Sequence, residues 1–219
     1  MKFAIYGCEG FAREVLPILR QNCKNILKPD EKMDIIFVDD DPQWHGKIVN
    51  GINVISFEQL CREENRDRLI SIAIANTRIR KKLVDKCQSQ GFHFTDIVSK
   101  NSLIYDANEI GQGAILCANT LITSNIIIGK HFHCNAFSYV MHDCIIGDFV
   151  TFAPRVCCNG RIIIDDLAYI GTGAMFKQGV QGKPLRVGKG AVVGMGAVVT
   201  KDVPPDVTVV GNPARILSK

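Results

Sequence analysis

The sequence predicts two domains, a small parallel α/β domain followed by a parallel β-helix. Two observations carry this prediction. Up to about residue 100, short apolar runs alternate with helix-like segments, the order expected of a parallel sheet covered by helices. From Ile104 onward, an apolar residue recurs every six positions, which is typical of a β-helix. We therefore expect one domain at 1–100 and a second at 101–219.

Apolar runs and the segments between them define the elements of the first domain. Strands are predicted at 3–7, at 34–38, near residue 54 and at 69–75. Helices are predicted at 11–22, 57–64 and 77–90. Pro17 lies inside the first of these helices and should kink it or shift its start, because proline lacks a backbone N–H.

Thirteen six-residue repeats define the second domain, and the residue that leads each repeat is apolar. The leading residues are Ile104, Ile110, Leu116, Ile122, Ile128, Cys134, Val140, Ile146, Phe152, Cys158, Ile164, Ile170 and Phe176. Each six supplies one short strand and one turn, so three sixes make a triangular coil. The register is lost across 180–186 and resumes at Val187, and the whole segment predicts about five coils.

Composition excludes several classes of protein. A 47% hydrophobic and 22% charged chain is expected to fold as a globular protein. It has no run of about 18 apolar residues and no signal-peptide pattern, so we expect a cytoplasmic protein. The net charge of +4 is too small to indicate nucleic-acid binding. Nine cysteines without a CxxC pair indicate reduced, mostly buried thiols, and we expect no metal site.

The two halves together resemble a known family. The repeats resemble those of the hexapeptide-repeat acyltransferases, whose repeat is a left-handed β-helix. The segments GCEGFA, VDDD and IAIANTRIRKK, which follow the predicted strands, and MHDCIIGDFVTFAP and GNPAR are similar to the nucleotide-sugar N-acetyltransferases. This resemblance implies a Rossmann-like domain before a left-handed β-helix, acetyl-CoA as co-substrate, and a homotrimer with active sites between subunits.

The resemblance also implies an activity. Enzymes of this family acetylate the 4-amino group of a nucleotide-linked 4-amino-4,6-dideoxysugar, here with dTDP favoured, for surface polysaccharide (O-antigen) biosynthesis. Sialic-acid O-acetyltransferases share both halves, so O-acetylation of a sugar stays open as an alternative. A zinc-dependent hydratase and a non-catalytic scaffold on the same repeat are alternatives of other classes. The nucleotide, the sugar and the length of the acyl chain are left open.

Acetyl transfer to an amine needs a proton acceptor and a donor for the developing oxyanion. His142 matches the catalytic base of the family, and Asp143 matches its acidic neighbour; their contact requires a bend in the chain. Gly160 aligns with a residue whose backbone N–H faces the thioester carbonyl. Thr151 stands where relatives carry a second acetyl-binding histidine, so its role is open. Without the resemblance, His142 and Gly160 would equally fit ordinary turn positions.

Three polar clusters follow the strands of the first domain and are predicted to bind the nucleotide sugar. They are Glu9, Gly10 and Phe11, then Asp39 and Asp40, and then Asn76, Thr77 and Arg80. Carboxyl ends of parallel strands meet at one edge of the sheet, and a helix N-terminus there favours phosphate. Taken singly, the first two clusters are also ordinary turn sequences.

The resemblance further implies that coenzyme A lies along the prism between subunits. Its predicted contacts are Thr172, Gly173, Met195, Gly196, Ala197, Asn212 and Pro213. The glycine-containing segments would let the pantetheine approach the backbone, and the Asn-Pro segment would cover the adenine. Both glycine segments also fit simple coil corners.

Overall fold

The computed structural model describes residues 1–24 and 33–217, so 25–32 and the last two residues of the predicted second domain lie outside the described residues. The elements of the first domain are β1 (Lys2–Tyr6), α1 (Gly10–Lys24), β2 (Asp34–Val38), β3 (Ile48–Val49), β4 (Ile52–Ile55), α2 (Phe57–Leu60), β5 (Leu69–Ile72), α3 (Thr77–Ser89) and β6 (His93–Phe94). They form one sheet in the order β3-β4-β2-β1-β5-β6, parallel except for the β3–β4 pair. No helix in the described part of the chain is long and apolar enough to cross a membrane.

The helices of this domain begin where local chemistry favours a start. Asn76 caps α3, because its side-chain oxygen accepts hydrogen bonds from the Arg78 and Ile79 amides at 3.1 and 3.0 Å. Ser56 caps α2 in the same way, through the Gln59 amide. α1 starts at Gly10, one residue before the predicted start, and continues through Pro17, so of the two predicted effects of the proline a later start is not observed. The N-termini of α1 and α3 therefore both lie at the carboxyl edge of the sheet.

The second domain is a three-sided β-helix whose strands pair with those one coil away. Its strands are β7 (Ile97–Val98), β8 (Leu103–Ile104), β9 (Glu109–Ile110), β10 (Ile115–Leu116), β11 (Leu121–Ile122), β12 (Ile127–Ile128), β13 (His133–Cys134), β14 (Tyr139–Val140), β15 (Ile145–Ile146), β16 (Thr151–Phe152), β17 (Cys157–Cys158), β18 (Ile162–Ile164), β19 (Tyr169–Ile170), β20 (Met175–Phe176), β21 (Leu185–Val187), β22 (Val192–Val193), β23 (Val198–Val199), β24 (Thr208–Val210) and β25 (Arg215–Ile216). From β7 to β23 every third strand joins the same sheet; β24 then pairs with β22, and β25 runs antiparallel against β24. Strands β7 to β21 complete five coils, and β22 to β24 continue the stack beyond them, so the β-helix has about one coil more than the repeat predicts.

The repeat-leading residues fill the interior of the prism. Those from Leu116 to Phe176 are buried in one continuous core, which also holds Cys144. Ile110 is half-buried at its lower end, and Ile104 is 42% exposed because it belongs to the first coil, which has no coil beneath it. The inward orientation is therefore confirmed for all leading residues except those of the first coil.

The corners of the prism are built from left-handed residues spaced six apart. Every sixth residue from Ala107 to Gly173 has a positive φ, and only two of these twelve are glycine. They stack into three columns, which we name by their members. The junction column is Gly113, His131, Phe149, Leu167 and Gly190; the His142 column, beside His142, is Ala107, Asn125, Asp143 and Arg161; the Gly173 column is Asn119, Phe137, Arg155, Gly173 and Gly196.

The coil repeat is interrupted by an insertion at the top of the His142 column. Leu116 pairs with Cys134, 18 residues on, but Ile164 pairs with Val187, five residues further than that step. The extra residues form a loop at 177–184, between β20 and β21. The Gly179 amide in this loop donates to the Gly160 carbonyl at 3.0 Å, so the loop lies on the coil above His142.

The first domain covers one face of the prism, the sheet that contains β7, β10, β13 and β16. This face lies between the junction column and the Gly173 column, and α1 packs against its Ile97 and Ile115. The Phe11 ring lies 5.2 Å from the His133 ring, and Phe94 meets His131 edge-on at 4.8 Å. Two buried histidines therefore lie in the junction between the domains.

Both junction histidines are held in the neutral form. Burial and the nearby Arg80 charge lower the pKa of His131 to about 4 and lower the pKa of His133 well below its usual value. Neither ring nitrogen of His133 has a hydrogen-bond partner among the described residues. The unfolded chain therefore binds protons that the folded chain does not, and stability is lost as the pH falls below about 6.5.

Replacing His133 with Met should reduce this loss. The thioether fills a similar volume beside Phe11 and carries no proton-binding site, so the fall in unfolding free energy between about pH 7.5 and 5 should be about 2 kcal/mol smaller. Denaturant unfolding at both pH values measures the difference. His93→Gln removes an exposed histidine and serves as the control. Equal losses in wild type and His133→Met would contradict this account of the junction.

Candidate active site

His142 lies at the corner between β14 and β15, where the chain bends sharply. Asp143 has a φ of 61°, and this left-handed conformation brings its carboxylate back to its neighbour. The His142 Nδ1 lies 2.8 Å from Asp143 Oδ2, and both side chains are about two-fifths exposed. The predicted bend is therefore present, and it lets two consecutive residues interact.

Asp143 also faces a basic residue that the sequence did not identify. Arg161 lies one coil above it, and its Nη2 is 3.6 Å from Asp143 Oδ2. The 18-residue coil step from Asp143 leads to this position and could have found it. The carboxylate is thus held between an imidazole and a guanidinium, which fixes its orientation towards His142.

Gly160 lies one coil above His142 and directly against its ring. A Cβ at this position would come within 2.6 Å of His142 Cε1 and Nε2, so only glycine leaves the imidazole its place. Gly160 is buried, and its amide N–H has no hydrogen-bond partner among the described residues. A free backbone donor therefore stands beside the Nε2 side of the ring.

These groups together can remove a proton and stabilise a negative oxygen. Because Nδ1 faces a carboxylate, the neutral ring carries its proton there and leaves the Nε2 lone pair available. Nε2 makes no hydrogen bond within the described part of the chain. A reacting amine beside Nε2 and a carbonyl oxygen beside the Gly160 amide would complete the geometry of acyl transfer.

A shallow groove runs along the prism next to Asp143. Its volume is about 440 Å³, and it is lined by Asp143, Ile145, Arg161, Ile163 and loop residues 180–182 and 184. The loop tip carries Val180, whose side chain is mostly exposed. The His142 column therefore opens onto a groove large enough for part of a substrate.

A second cavity, of about 260 Å³, lies at the carboxyl edge of the first-domain sheet; we call it the cleft. Its lining is Gly7, Cys8, Glu9, Gly10, Phe11, Ala12, Asp39, Ala73, Ile74 and Ala75. Four predicted residues are therefore present: Glu9, Gly10, Phe11 and Asp39. The sequence missed Cys8, whose thiol donates to Asp39 Oδ2 at 3.3 Å. Burial and this carboxylate raise the pKa of Cys8 to about 12, so the thiol stays protonated.

The other four predicted nucleotide-sugar residues lie outside the cleft. Asp40 accepts hydrogen bonds from Tyr6 Oη at 2.7 Å and from Nζ of Lys86, a residue of α3, at 2.8 Å. Asn76 and Thr77 line a separate cavity at the junction, where the Thr77 hydroxyl donates to the Leu167 carbonyl at 2.9 Å. Arg80 is completely buried, so the prediction that it contacts a ligand is wrong.

Thr151 lies in the domain junction, apart from His142 of the same chain. It begins β16, on the face covered by the first domain, and is 1% exposed. Its hydroxyl donates to the Ala75 carbonyl and accepts from Arg80 Nη1, both at 2.9 Å. The hydroxyl is enclosed within the domain junction, where it contacts the wall of the cleft, and its predicted role beside the acetyl group stays a prediction.

The predicted coenzyme residues come together along one corner of the prism. Gly173 and Gly196 are stacked in the Gly173 column with open space around them, and the Gly196 amide donates to the Thr172 carbonyl at 2.8 Å. Met195 next to them is 81% exposed. The turn with Asn212 and Pro213 adjoins the same corner, since the Val198 amide donates to the Gly211 carbonyl. Ala197 differs, because its side chain is buried inside the prism.

Metal ligands are not grouped in this molecule as far as the structure describes it. Within residues 1–24 and 33–217, no cluster of three or more His, Cys, Asp and Glu side chains could hold a metal ion. Three histidines, His131, His133 and His142, are close in sequence but do not meet in the structure. His131 and His133 lie in the domain junction, and His142 lies at the opposite corner of the prism.

Comparisons with known proteins agree with this architecture. A family model described as the PglD N-terminal domain matches residues 2–87. The chain is 44% identical over 217 residues to the GDP-perosamine N-acetyltransferase of Escherichia coli O157:H7, covering 99% of this chain and 96% of that protein.

Solved structures extend the agreement to the whole fold. WeeI from Acinetobacter baumannii AYE has a TM-score of 0.92 and 50% identity, covering 99% of this chain and 100% of that one. PerB from Caulobacter crescentus, solved with CoA and GDP-perosamine, has a TM-score of 0.86 and 26% identity, covering 100% and 98%. The predicted Rossmann-like domain followed by a left-handed β-helix is confirmed. The chain therefore belongs to the acetyl-CoA-dependent nucleotide-sugar N-acetyltransferases of the hexapeptide-repeat family.

Proposed function

We propose that this enzyme transfers an acetyl group from acetyl-CoA to the 4-amino group of a GDP-linked 4-amino-4,6-dideoxysugar, with His142 as the general base. The observation that carries the proposal is the His142 ring, fixed by Asp143 at 2.8 Å and packed against Gly160, whose amide makes no hydrogen bond among the described residues. The proposal replaces dTDP by GDP, because the E. coli relative is named for GDP-perosamine and PerB was solved with it.

The chemistry follows from the two free groups of the site. The sugar amine attacks the thioester carbonyl directly, and His142 Nε2 accepts the proton that the nitrogen loses. The Gly160 N–H donates to the oxyanion of the tetrahedral intermediate. Collapse of the intermediate breaks the carbon–sulfur bond, and the imidazolium returns the proton to the departing CoA thiolate. Asp143 holds the ring in the required tautomer and stabilises the imidazolium.

We place acetyl-CoA against the Gly173 column. Thr172, Gly173, Met195 and Gly196 form an accessible strip there with no side chains on the glycines, and the turn at 212–213 closes its end. The nucleotide belongs in the cleft, where the Gly-rich turn and the N-terminus of α1 favour a diphosphate. Glu9 and Asp39 supply acceptors for ribose hydroxyls or base N–H groups.

We further propose that each site is shared between two copies of the chain in a homotrimer. The first domain covers the face opposite the His142 column, and a prism of this size is roughly 15–20 Å across. A sugar in the cleft therefore points away from the His142 of its own chain. The faces flanking the His142 column expose Ile127, Ile145 and Met175, each by about half, which fits a subunit contact.

Acceptor preference tests the proposed activity. Purified enzyme with acetyl-CoA is offered a GDP-linked 4-amino sugar, its dTDP-linked counterpart and sialic acid, and kcat/KM is measured for each. We expect the GDP-linked amine to be preferred over the dTDP-linked amine by about tenfold or more, since the base edge adds contacts worth roughly 1–3 kcal/mol. A higher kcat/KM with the dTDP-linked sugar would support dTDP, the nucleotide predicted from the sequence. Acetylation of sialic acid alone would contradict the proposal that the acceptor is an amine.

A further inference from the structure

Arg80 is a buried cation that has no part in the proposed mechanism. It lies on α3 with no exposed surface, and no carboxylate among the described residues pairs with it. Its guanidinium instead donates six hydrogen bonds to oxygen atoms. The acceptors are the carbonyls of Ile74 (2.7 Å), Ala75 (3.2 Å), His131 (3.1 Å), Phe149 (2.7 Å) and Val150 (3.2 Å), and the Thr151 hydroxyl (2.9 Å).

These acceptors belong to two different parts of the molecule. Ile74 and Ala75 follow β5 and form one wall of the cleft. His131 and Phe149 are corner residues of the β-helix, and Thr151 begins β16. The same guanidinium nitrogen, Nη1, reaches both the cleft wall and Thr151. Arg80 therefore connects the cleft wall directly to two successive coils of the prism.

Thr151 forms a second link between the β-helix and the cleft wall. Its hydroxyl accepts from Arg80 and donates to the Ala75 carbonyl, so the cleft wall is held by two residues at once. The network has directional bonds in several orientations, unlike the apolar contacts of Phe11 and Ile115 around it. Directional bonds to a planar guanidinium fix one relative position, whereas apolar contacts tolerate small shifts.

We propose that Arg80 and Thr151 are positioning residues, which set where the cleft presents the sugar amine relative to the catalytic corner. The inference rests on the proposed function, because it assumes that the nucleotide sugar occupies the cleft. Neither residue touches the reacting atoms. Both act by holding Ile74 and Ala75 in register with the β-helix. A misplacement of about 1 Å far from the chemistry is enough to lower a rate about 100-fold.

The test compares Thr151→Val and Arg80→Lys with wild type. Valine keeps the shape of threonine and removes both hydrogen bonds; lysine keeps the charge but lacks the planar fork of donors. We expect a lower kcat and a KM for the GDP-linked sugar raised about tenfold. The KM for acetyl-CoA should stay within about twofold, since that site lies on another corner. Hydrogen exchange of the amides at 73–76 should become faster in both variants.

Arg78→Gln provides the matched control. Arg78 lies on the same helix and also bridges the domains, to Asp206, but both side chains are about two-thirds exposed. An exposed pair contributes little, so this variant should match wild type in kcat and in both KM values. Thr151→Val is expected to fold even where Arg80→Lys does not, and thermal unfolding of each variant verifies it.

Three outcomes separate the inference from the function on which it rests. A raised KM for the nucleotide sugar, with unchanged KM for acetyl-CoA, supports the positioning role. Folded Thr151→Val with wild-type kinetics, or with kcat reduced only by a smaller active fraction, would overturn that role alone. Wild-type enzyme that acetylates no GDP-linked amine would overturn the proposed function, and the inference with it.

Discussion

His142→Asn is expected to lower kcat by about 10³-fold, the range found when a general base is removed. Asparagine keeps a polar side chain of similar reach beside Asp143, so the corner and the coil above it should remain intact. It cannot accept a proton from the amine at neutral pH. The KM values for both substrates should change by no more than about threefold, because the nucleotide and coenzyme sites lie elsewhere.

Asp143→Asn tests the contribution of the charge beside His142. The amide can still accept from Nδ1, but the negative charge that stabilises the imidazolium is lost, and Arg161 loses its ion pair. We expect a smaller fall in kcat, about 10- to 100-fold. A His142→Asn variant with near-wild-type kcat at saturating substrates would contradict the general-base role. Unfolding temperatures of both variants show whether the folded protein is being measured.

Gly160→Ala is expected to lower kcat about 100-fold, through the position of His142 rather than through the backbone. The φ of Gly160 suits an alanine, but the added Cβ would stand 2.6 Å from the imidazole and force the ring to move by about 1 Å. The shift separates Nε2 from the reacting amine. Steady-state kinetics, together with a thermal-unfolding curve, measure the effect.

A second glycine gives the control for this substitution. Gly91 lies in a turn with a φ of 79° and open space around it, far from the active site. Gly91→Ala should cost about 1 kcal/mol of stability because alanine is strained at that φ, and kcat should not change. If Gly160→Ala kept its full kcat, the imidazole would not be where the structure places it.

The second domain could be predicted from the sequence because its six-residue period follows directly from the geometry of the coil. One residue in six faces the interior of a coil, and an apolar residue at each of these positions is visible without knowledge of any contact. The same period places Gly160 above His142 and Arg161 above Asp143, although Arg161 was not found. The corners were harder to predict, because non-glycine residues such as Phe137 and Leu167 adopt the left-handed conformation.

The candidate site was only partly predictable, and the first domain shows why. Polar residues after three strands were placed at one sheet edge, and Glu9 and Asp39 do line the cleft there. The sequence does not reveal which of these side chains the second domain covers. Arg80 and Thr77 point into the junction because a β-helix lies against α3, a contact formed by residues 50 to 90 positions away in the chain.

The nucleotide could not be predicted from the sequence for a different reason. Cleft residues such as Glu9 and Asp39 can accept hydrogen bonds from many bases, so no sequence feature separates GDP from dTDP. The change to GDP rests on the relatives, and only the acceptor measurement decides it. By contrast, the contact between His142 and Asp143 could be predicted, because the two residues are adjacent in sequence and the bend at Asp143 brings their side chains together.

Mixing of two inactive variants tests the central claim most directly, that the cleft of one copy serves His142 of another. His142→Ala lacks the base, and Gly10→Trp fills the mouth of the cleft, where a side chain meets open space; loss of GDP binding by the latter is verified first. The two chains, with different tags, are co-expressed, and mixed oligomers are purified. We predict that the mixed oligomers regain about a third of wild-type kcat, since a mixed trimer of either composition has one site in three that combines an intact cleft with an intact His142. Mixed oligomers that stay inactive would contradict a site shared between subunits.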